Sequence, residues 1–321
     1  MKATKLIVSA AAAMVMSTSS WAQTYPERPI DLVVPYAAGG ATDVIARLVA
    51  TDLPEKLGQH VVVVNKPGAG TTLAAAEIAR SAPDGYKLYM TTAAHTISGS
   101  LYGNLRYDPI KDFAPIHLVA RIPIVLVTTP SFKPKTLAEY VEYATTNKDG
   151  VTVASPGNGT PQHLAQALFQ KQTGANFVHI PFRGDAPMVT DLLAGQVESA
   201  FITLSAALPH IQSGKLNALA VANPTRIPAI KDVPTMDEAG VPNFNAATWF
   251  ALFGPAGLDP AIEQRLHEAV NEVASAPAFV QRIEAMGGQS VNMGPAEFRE
   301  YVKAEAAQWA QAVEASGARV E

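Results

Sequence analysis

The tightest constraint on this chain is the alternation that fills the segment from Tyr25 to Thr92. Ile30–Val34 is an apolar run that stops at Pro35. A loop of small residues, Ala37-Ala38-Gly39-Gly40, leads to a helix that begins near Thr42, with its main pattern over Val44–Leu57. Val44, Ile45, Leu48 and Val49 mark one apolar side of it, and Gly58 ends it. Val61–Val64 has no polar residue, the pattern of a parallel strand covered on both faces. The loop Asn65–Gly70 precedes a second helix over Thr71–Ser81. Pro83-Asp84-Gly85 then turns the chain into a strand over Lys87–Thr92. Strand, helix, strand, helix, strand implies a doubly wound parallel sheet.

The pattern restarts downstream. Ile116–Val127 is a long apolar stretch containing Pro123, and Leu137–Thr146 reads as a helix. Strands are expected over Val151–Ala154, Phe177–Ile180, Ser199–Thr203, Ala218–Val221 and Ala247–Phe253. Helices are expected over Pro161–Gln172 and Ala186–Ala194, and at the end over Pro260–Ala274, Ala278–Met286 and Pro295–Ser316. Thr225–Pro242 is rich in turn residues. Pro35–Leu53 and Ser155–Phe169 each run strand end, small-residue loop, helix, which is a loose duplication. Placed in two domains, both helix starts face one cleft, because ligands of open α/β sheets bind beyond the carboxyl ends of the strands. The chain would cross between the domains at Arg121–Ile124 and Asn245–Trp249.

Compartment follows from the first residues. Lys2 and Lys5 precede an apolar run, Leu6–Val15, and Ser20-Trp21-Ala22 offers small residues at the positions a signal peptidase reads. Residues 1–22 are therefore expected to be a secretory signal. The apolar run is far shorter than the ~20 residues of a membrane span. With no cysteine in the chain, neither disulfides nor thiolate chemistry is available. A hydrophobic content of 48% supplies a core without them. Loss of residues 1–22 removes two lysines and leaves 22 basic against 28 acidic residues. That acidic balance argues against nucleic acid or an anionic membrane as partner. An anion would have to be held locally, by backbone dipoles and one or two cations.

Helix N-termini carry unpaired N–H groups and partial positive charge, and glycine lets the backbone approach a ligand closely. The first loop, Tyr36, Ala37, Ala38, Gly39, Gly40, Thr42 and Asp43, is thus a candidate carboxylate site. Asp43 is equally suited to capping the helix. Ala94, His95 and Thr96 end the third strand at the same sheet edge. In the second loop, Ser155, Asn158, Gly159 and Thr160 supply polar groups and a free backbone. His163, one turn into the following helix, would orient the loop or touch ligand. Arg183, Gly184 and Asp185 hold the best-placed charges of the second half, and Thr203 ends a strand nearby. Arg183 would form a fork with a ligand carboxylate or lie in solvent. Asp185 would meet a ligand ammonium or hydroxyl, or cap the helix Ala186–Ala194. The seven histidines lack metal-ligand spacing, and no nucleophile elbow, Walker loop or complete dinucleotide fingerprint is present, so no metal or cofactor is expected.

The stretches Tyr25–Ile30, Val34–Asp43, Val64–Ala69, Ala82–Tyr86, Ser155–Leu164, Pro181–Pro187 and Asp191–Val197, in this order, resemble the Bug (Bordetella uptake gene) family, the substrate-binding receptors of tripartite tricarboxylate transporters. The resemblance covers essentially the whole chain after residue 22. It implies an α/β, two-lobed periplasmic-binding-protein fold (type II-like), with two domains joined by a two-strand hinge. The expected domains are residues 23–123 plus 246–321, and 124–245. It also implies a monomeric periplasmic receptor that closes on a small carboxylate and hands it to a two-subunit inner-membrane transporter. In such receptors the loop at Gly39-Gly40 cradles a ligand carboxylate, partly through ordered waters. Relatives often carry Lys at Arg183 and a small residue at Asp185, so Asp185 is a departure. Two other readings stand beside the receptor. One is a periplasmic hydrolase or isomerase acting on an acid, with His95, Asp43 or Asp185 as base. The other is a sensor that presents its closed form to a kinase.

Overall fold

A computed structural model describes residues 25–316; the expected signal, residues 1–22, lies outside the described residues. The first three strands are β1 (Ile30–Val34), β2 (Val61–Asn65) and β3 (Lys87–Thr92), joined through α1 (Ala41–Leu57) and α2 (Thr72–Ile78). All pair in parallel, in the order β2-β1-β3. The second half repeats the motif. After α4 (Leu137–Thr146), strands β5 (Val151–Ser155), β6 (Phe177–Pro181) and β7 (Ser199–Thr203) lie in the order β6-β5-β7, again parallel, with α5 (Pro161–Thr173) and α6 (Asp185–Leu193) between them. In each triad the first strand is central and the second lies at the edge. The duplication expected from two loops is thus a duplication of sheet topology.

Strand β4 (Phe113–Thr128) joins the two triads. Its first part pairs with β9 (Ala247–Pro255), ending at Pro123↔Ala247. From Ile124 onward it pairs with β7 and with β8 (Asn217–Val221). At the changeover the Ile124 N–H donates to the Ala246 carbonyl, and the Ala246 N–H to the Ala222 carbonyl. Two chain segments therefore pass side by side from one lobe to the other. Proline suits this place because it has no N–H to give to a ladder.

The structure differs from the sequence expectation at three elements. Val61–Val64 forms a strand, but β2 is the sheet edge and Val62 is 47% exposed, so it is not covered on both faces. In α1 the buried residues include Ile45, Ala46, Val49 and Leu53, whereas Val44 faces solvent. The segment after Thr92 is a helix, α3 (Ala94–Leu101), rather than a strand end. It is short, and its polar residues His95, Thr96 and Ser98 are buried together with Ala94 and Ile97, so residue type does not mark it as a buried helix. Helix α7 (Leu204–Gln212) and strand β10 (Gln289–Met293) were not expected either. Helix α7 follows β7 without a loop and contains Pro209, which hides it from periodicity reasoning.

The chain closes with α8 (Pro260–Ser275), α9 (Pro277–Ala285) and α10 (Pro295–Ser316). Helix α8 packs on α1 and β4, while α10 packs on α3 and β4 and also reaches α5. One carboxylate pins α10 to the crossing region. Glu305 Oε2 accepts the indole N–H groups of Trp249, in β9, and Trp309, at 2.5 and 2.9 Å, and Oε1 accepts the Tyr301 hydroxyl at 2.8 Å. Hydrogen bonds to a charged group contribute about 1.5–3 kcal/mol each. Glu305→Ala should therefore destabilise the protein by roughly 3 kcal/mol in urea unfolding, with the partly exposed rim of this cluster limiting the loss. A loss under about 0.5 kcal/mol, the size of an ordinary surface change, would show that this cluster does not hold the helix.

Candidate functional site

The carboxyl ends of the parallel strands in the two lobes face each other, and their loops touch. The Ala37 N–H donates to the Arg183 carbonyl at 3.0 Å. The Ala41 N–H, first in α1, donates to Asp185 Oδ2 at 3.2 Å. A Cβ on Gly40 would stand 3.5 Å from Asp185 Oδ2, and one on Gly39 would stand 3.7 Å from Ala186 Cβ. A further contact between the lobes is the Tyr102 hydroxyl, which donates to the Asn158 carbonyl at 3.4 Å. The lobes stand in a closed arrangement.

Asp43 organises the first loop. Its Oδ2 accepts the Gly39 N–H at 2.9 Å and Arg47 Nε at 3.0 Å, and Oδ1 accepts Asn65 Nδ2 at 2.9 Å. Burial raises its pKa, but the bonds from Arg47, Gly39 and Asn65 outweigh this and hold it below the usual carboxylate value. With both oxygens engaged, Asp43 is a strut of the loop rather than a base. Asn65 also donates to the Tyr36 carbonyl, and the Tyr36 hydroxyl pairs with Thr92 Oγ1 at 2.8 Å. The left-handed turn falls on Gly39, at φ 84°; Gly40 is extended at φ −81°. Gly40 is thus small for close approach and carries no backbone strain. Ala38 and Gly39 are exposed, while Thr42 is buried at the first turn of α1.

His95 does not join the site. It is fully buried among Tyr89, Tyr107, Phe113 and Phe253, with Nε2 bonded to the Pro109 carbonyl at 2.7 Å. Burial lowers its pKa to about 4, so it stays neutral inside the first lobe's core. Nor is Thr96 free: its hydroxyl donates to the Ala93 carbonyl, and the Ala94 N–H is taken by Thr92 Oγ1.

The second loop is built around two stacked histidines. His163 and His179 lie with ring centroids 4.3 Å apart. His163 Nδ1 accepts the Gly159 N–H at 3.2 Å, and His179 Nε2 pairs with Ser155 Oγ at 2.7 Å. Burial lowers their pKa values to about 4 and about 3, and for His179 the neighbouring His163 adds to this. Both are neutral at physiological pH and brace the loop without supplying a cation. Thr160 caps α5, accepting the His163 N–H while its hydroxyl donates to the Gly157 carbonyl. Thr203 Oγ1 accepts from the buried Gln162 at 2.7 Å. Gln162, His179, Tyr102 and Asn65 were not singled out in the sequence. His179 and Tyr102 lie outside the glycine loops, Asn65 and Gln162 lie at the ends of two of them, and only tertiary structure shows which groups the four meet.

The third loop bears on two residues for which the sequence left alternatives open. Arg183 meets the first lobe through its main chain, and its side chain is exposed. Gly184, at φ 124°, allows this contact, since a Cβ there would stand 3.3 Å from the Ala37 nitrogen and Tyr36 Cβ. Asp185 does not cap its own helix. It is the first residue of α6, behind Gly184, and its carboxylate reaches the N-terminus of α1 in the other lobe. Burial raises its pKa from 3.8 to about 6, opposed by the Ala41 and Asp185 backbone N–H groups.

A surface cavity of about 1000 Å³ beside α2 is lined by Lys66, Leu73, Glu77 and Lys87 among others, but Glu77 pairs with both lysines at 2.7 and 2.8 Å. Among the described residues no His/Cys/Asp/Glu group could hold a metal, and no helix is long and apolar enough to cross a membrane.

A two-lobed α/β fold with paired loops at facing sheet edges defines the solute-binding receptor class. Within it, this chain belongs to the tripartite tricarboxylate transporter family of receptors, whose family model matches residues 45–318. It is 38% identical over 301 residues to Protein BugT of Bordetella pertussis, covering 93% of this chain and 92% of the relative. The periplasmic binding protein BugD superposes with a TM-score of 0.89 at 34% identity, covering 92% of this chain and 100% of BugD. A protein of R. palustris with adipate superposes at 0.89 and 32% identity, covering 92% of this chain and 100% of the other. MatC of Rhodopseudomonas palustris with bound malate superposes at 0.86 and 32% identity, covering 90% and 100%. The family is one of receptors, not enzymes.

The raised pKa of Asp185 gives a pH signature. A carboxyl whose pKa is higher folded than unfolded stabilises the fold while protonated, fully below about pH 4, and this stability is lost as pH rises through about 6. The melting temperature of wild type relative to Asp185→Asn should fall between pH 4 and 6 and level off above. A flat difference would contradict the burial of this carboxylate.

Proposed function

We propose that this protein is a periplasmic receptor that binds a small organic acid between its two lobes and delivers it to a two-subunit membrane transporter. The observation that carries this reading is the meeting of two glycine loops, each followed by a helix N-terminus, at facing sheet edges. The first turn of α1 offers N–H groups without intrahelical partners, where negative charge is favoured. Adipate and malate in the related structures support an acid as ligand. The lobes of this reading are residues 23–123 plus 246–321, and 124–245, and the paired strands at Pro123 and Ala247 act as hinge. The receptor works as a monomer, without metal or cofactor, after export through its signal segment. Its cleft contacts come from the loops at Tyr36–Asp43, Ser155–His163 and Arg183–Asp185. Arg183 contributes through its backbone.

A thermal-shift screen of mono-, di- and tricarboxylates, aromatic acids and amino acids supplies the test ligand. Replacing the loop-bound carboxylate of the best acid by an amide should weaken binding by roughly thirtyfold or more, since a hydrogen bond to an ionised group is worth about 1.5–3 kcal/mol. Gly40→Val should abolish binding in calorimetry with little change in melting temperature, because Gly40 is not in a left-handed conformation. Equal affinity for acid and amide, or wild-type affinity in Gly40→Val, would overturn the reading.

A further inference from the structure

The two oxygens of Asp185 have different surroundings. Oδ2 accepts the Ala41 N–H, while Oδ1 is buried and has no hydrogen-bond partner among the described residues. The residue is 6% exposed. A carboxylate oxygen out of water keeps its demand for donors, and an unmet demand is costly. The charged and titratable neighbours do not meet it. Asp43 is tied to Arg47 and Asn65, the Tyr36 hydroxyl to Thr92, and the Arg183 side chain is exposed. The same carboxylate lies against Gly40, at the helix end where an incoming acid is attracted.

Resting on the receptor reading above, we propose that Asp185 selects the ligand: its free oxygen accepts the ammonium group of a 2-amino acid whose carboxylate lies at the α1 N-terminus. The two charges of such a ligand sit on neighbouring atoms, matching a helix end and an aspartate held against it. The ammonium supplies the missing donor and neutralises the buried charge. An unsubstituted acid does the reverse, placing a second carboxylate beside the first, and like charges in a dry site disfavour each other. A 2-hydroxy acid supplies a donor without the charge and falls between.

The test is calorimetry at pH 7.5 on the exported chain with three matched series: propionate, lactate and alanine; succinate, malate and aspartate; glutarate, 2-hydroxyglutarate and glutamate. In every series that binds, the amino member should be tightest, by roughly tenfold or more over the unsubstituted acid, the strength of a charged hydrogen bond. Asp185→Asn, nearly the same shape, and Asp185→Ala should each weaken the amino member roughly ten- to a hundredfold and leave the unsubstituted acid unchanged or tighter. If Asp185→Ala does not fold, the ratio in Asp185→Asn decides. An unsubstituted acid bound as tightly as its amino counterpart, or a ratio unchanged in the variants, overturns the assignment and leaves the receptor reading intact. Binding of no member overturns the assignment, and an acid found outside these series would still satisfy the receptor reading.

Discussion

The structure depends on how the N-terminus of α1 is satisfied. That helix end projects from the carboxyl edge of the first sheet with unpaired N–H groups and partial positive charge. Its own side chains do not fill it: Gly40 is the cap residue and has none, and Asp43 turns back to Gly39 and Arg47. The partner comes from the other lobe, where the Asp185 carboxylate accepts the Ala41 N–H while the Arg183 carbonyl accepts that of Ala37. Two hydrogen bonds between loops, one of them to a charged group, thus couple the lobes where a ligand of the proposed kind would bind. At neutral pH this closure also buries a carboxylate oxygen without a donor, which opposes it. The balance between the two makes closure responsive to whatever the cleft holds.

The rest of the molecule keeps these loops in reach of each other. Strand β4 runs unbroken through both lobes, and β9 pairs with it up to the changeover at Pro123 and Ala247. Each loop is braced within its own lobe, the first by Asp43 and Asn65 and the second by the stacked His163 and His179. Each loop is therefore a preformed surface of its own lobe. Glu305, tied to Trp249 beside the changeover and to Trp309, ties the C-terminal helix to the crossing.

The strand and helix order of the two βα triads was legible because buried strands and glycine turns write themselves locally. Leu137–Thr146 and Ser199–Thr203 fall where expected, and most other elements differ by a few residues at their ends. What was not legible depends on long-range partners. Val61–Val64 is apolar, yet no local signal tells an edge strand from a central one. In helix α3 the polar His95, Thr96 and Ser98 are buried along with Ala94 and Ile97, which residue type does not signal, and with it His95 passes from the candidate cleft into the core. Asp185 read as a ligand contact or as a cap of its own helix, the second because local spacing suits that role. Its actual partner is 144 residues away, at the start of α1.

Closure of two preformed loop surfaces about the crossing strands is the central claim, and small-angle scattering tests it most directly. The protein is measured at pH 7.5, alone and with a saturating concentration of the acid that raises its melting temperature most. The account predicts a smaller radius of gyration with the acid and a curve matching the closed arrangement described here. Identical curves at saturation would contradict it, because the acid would then bind without bringing the lobes together.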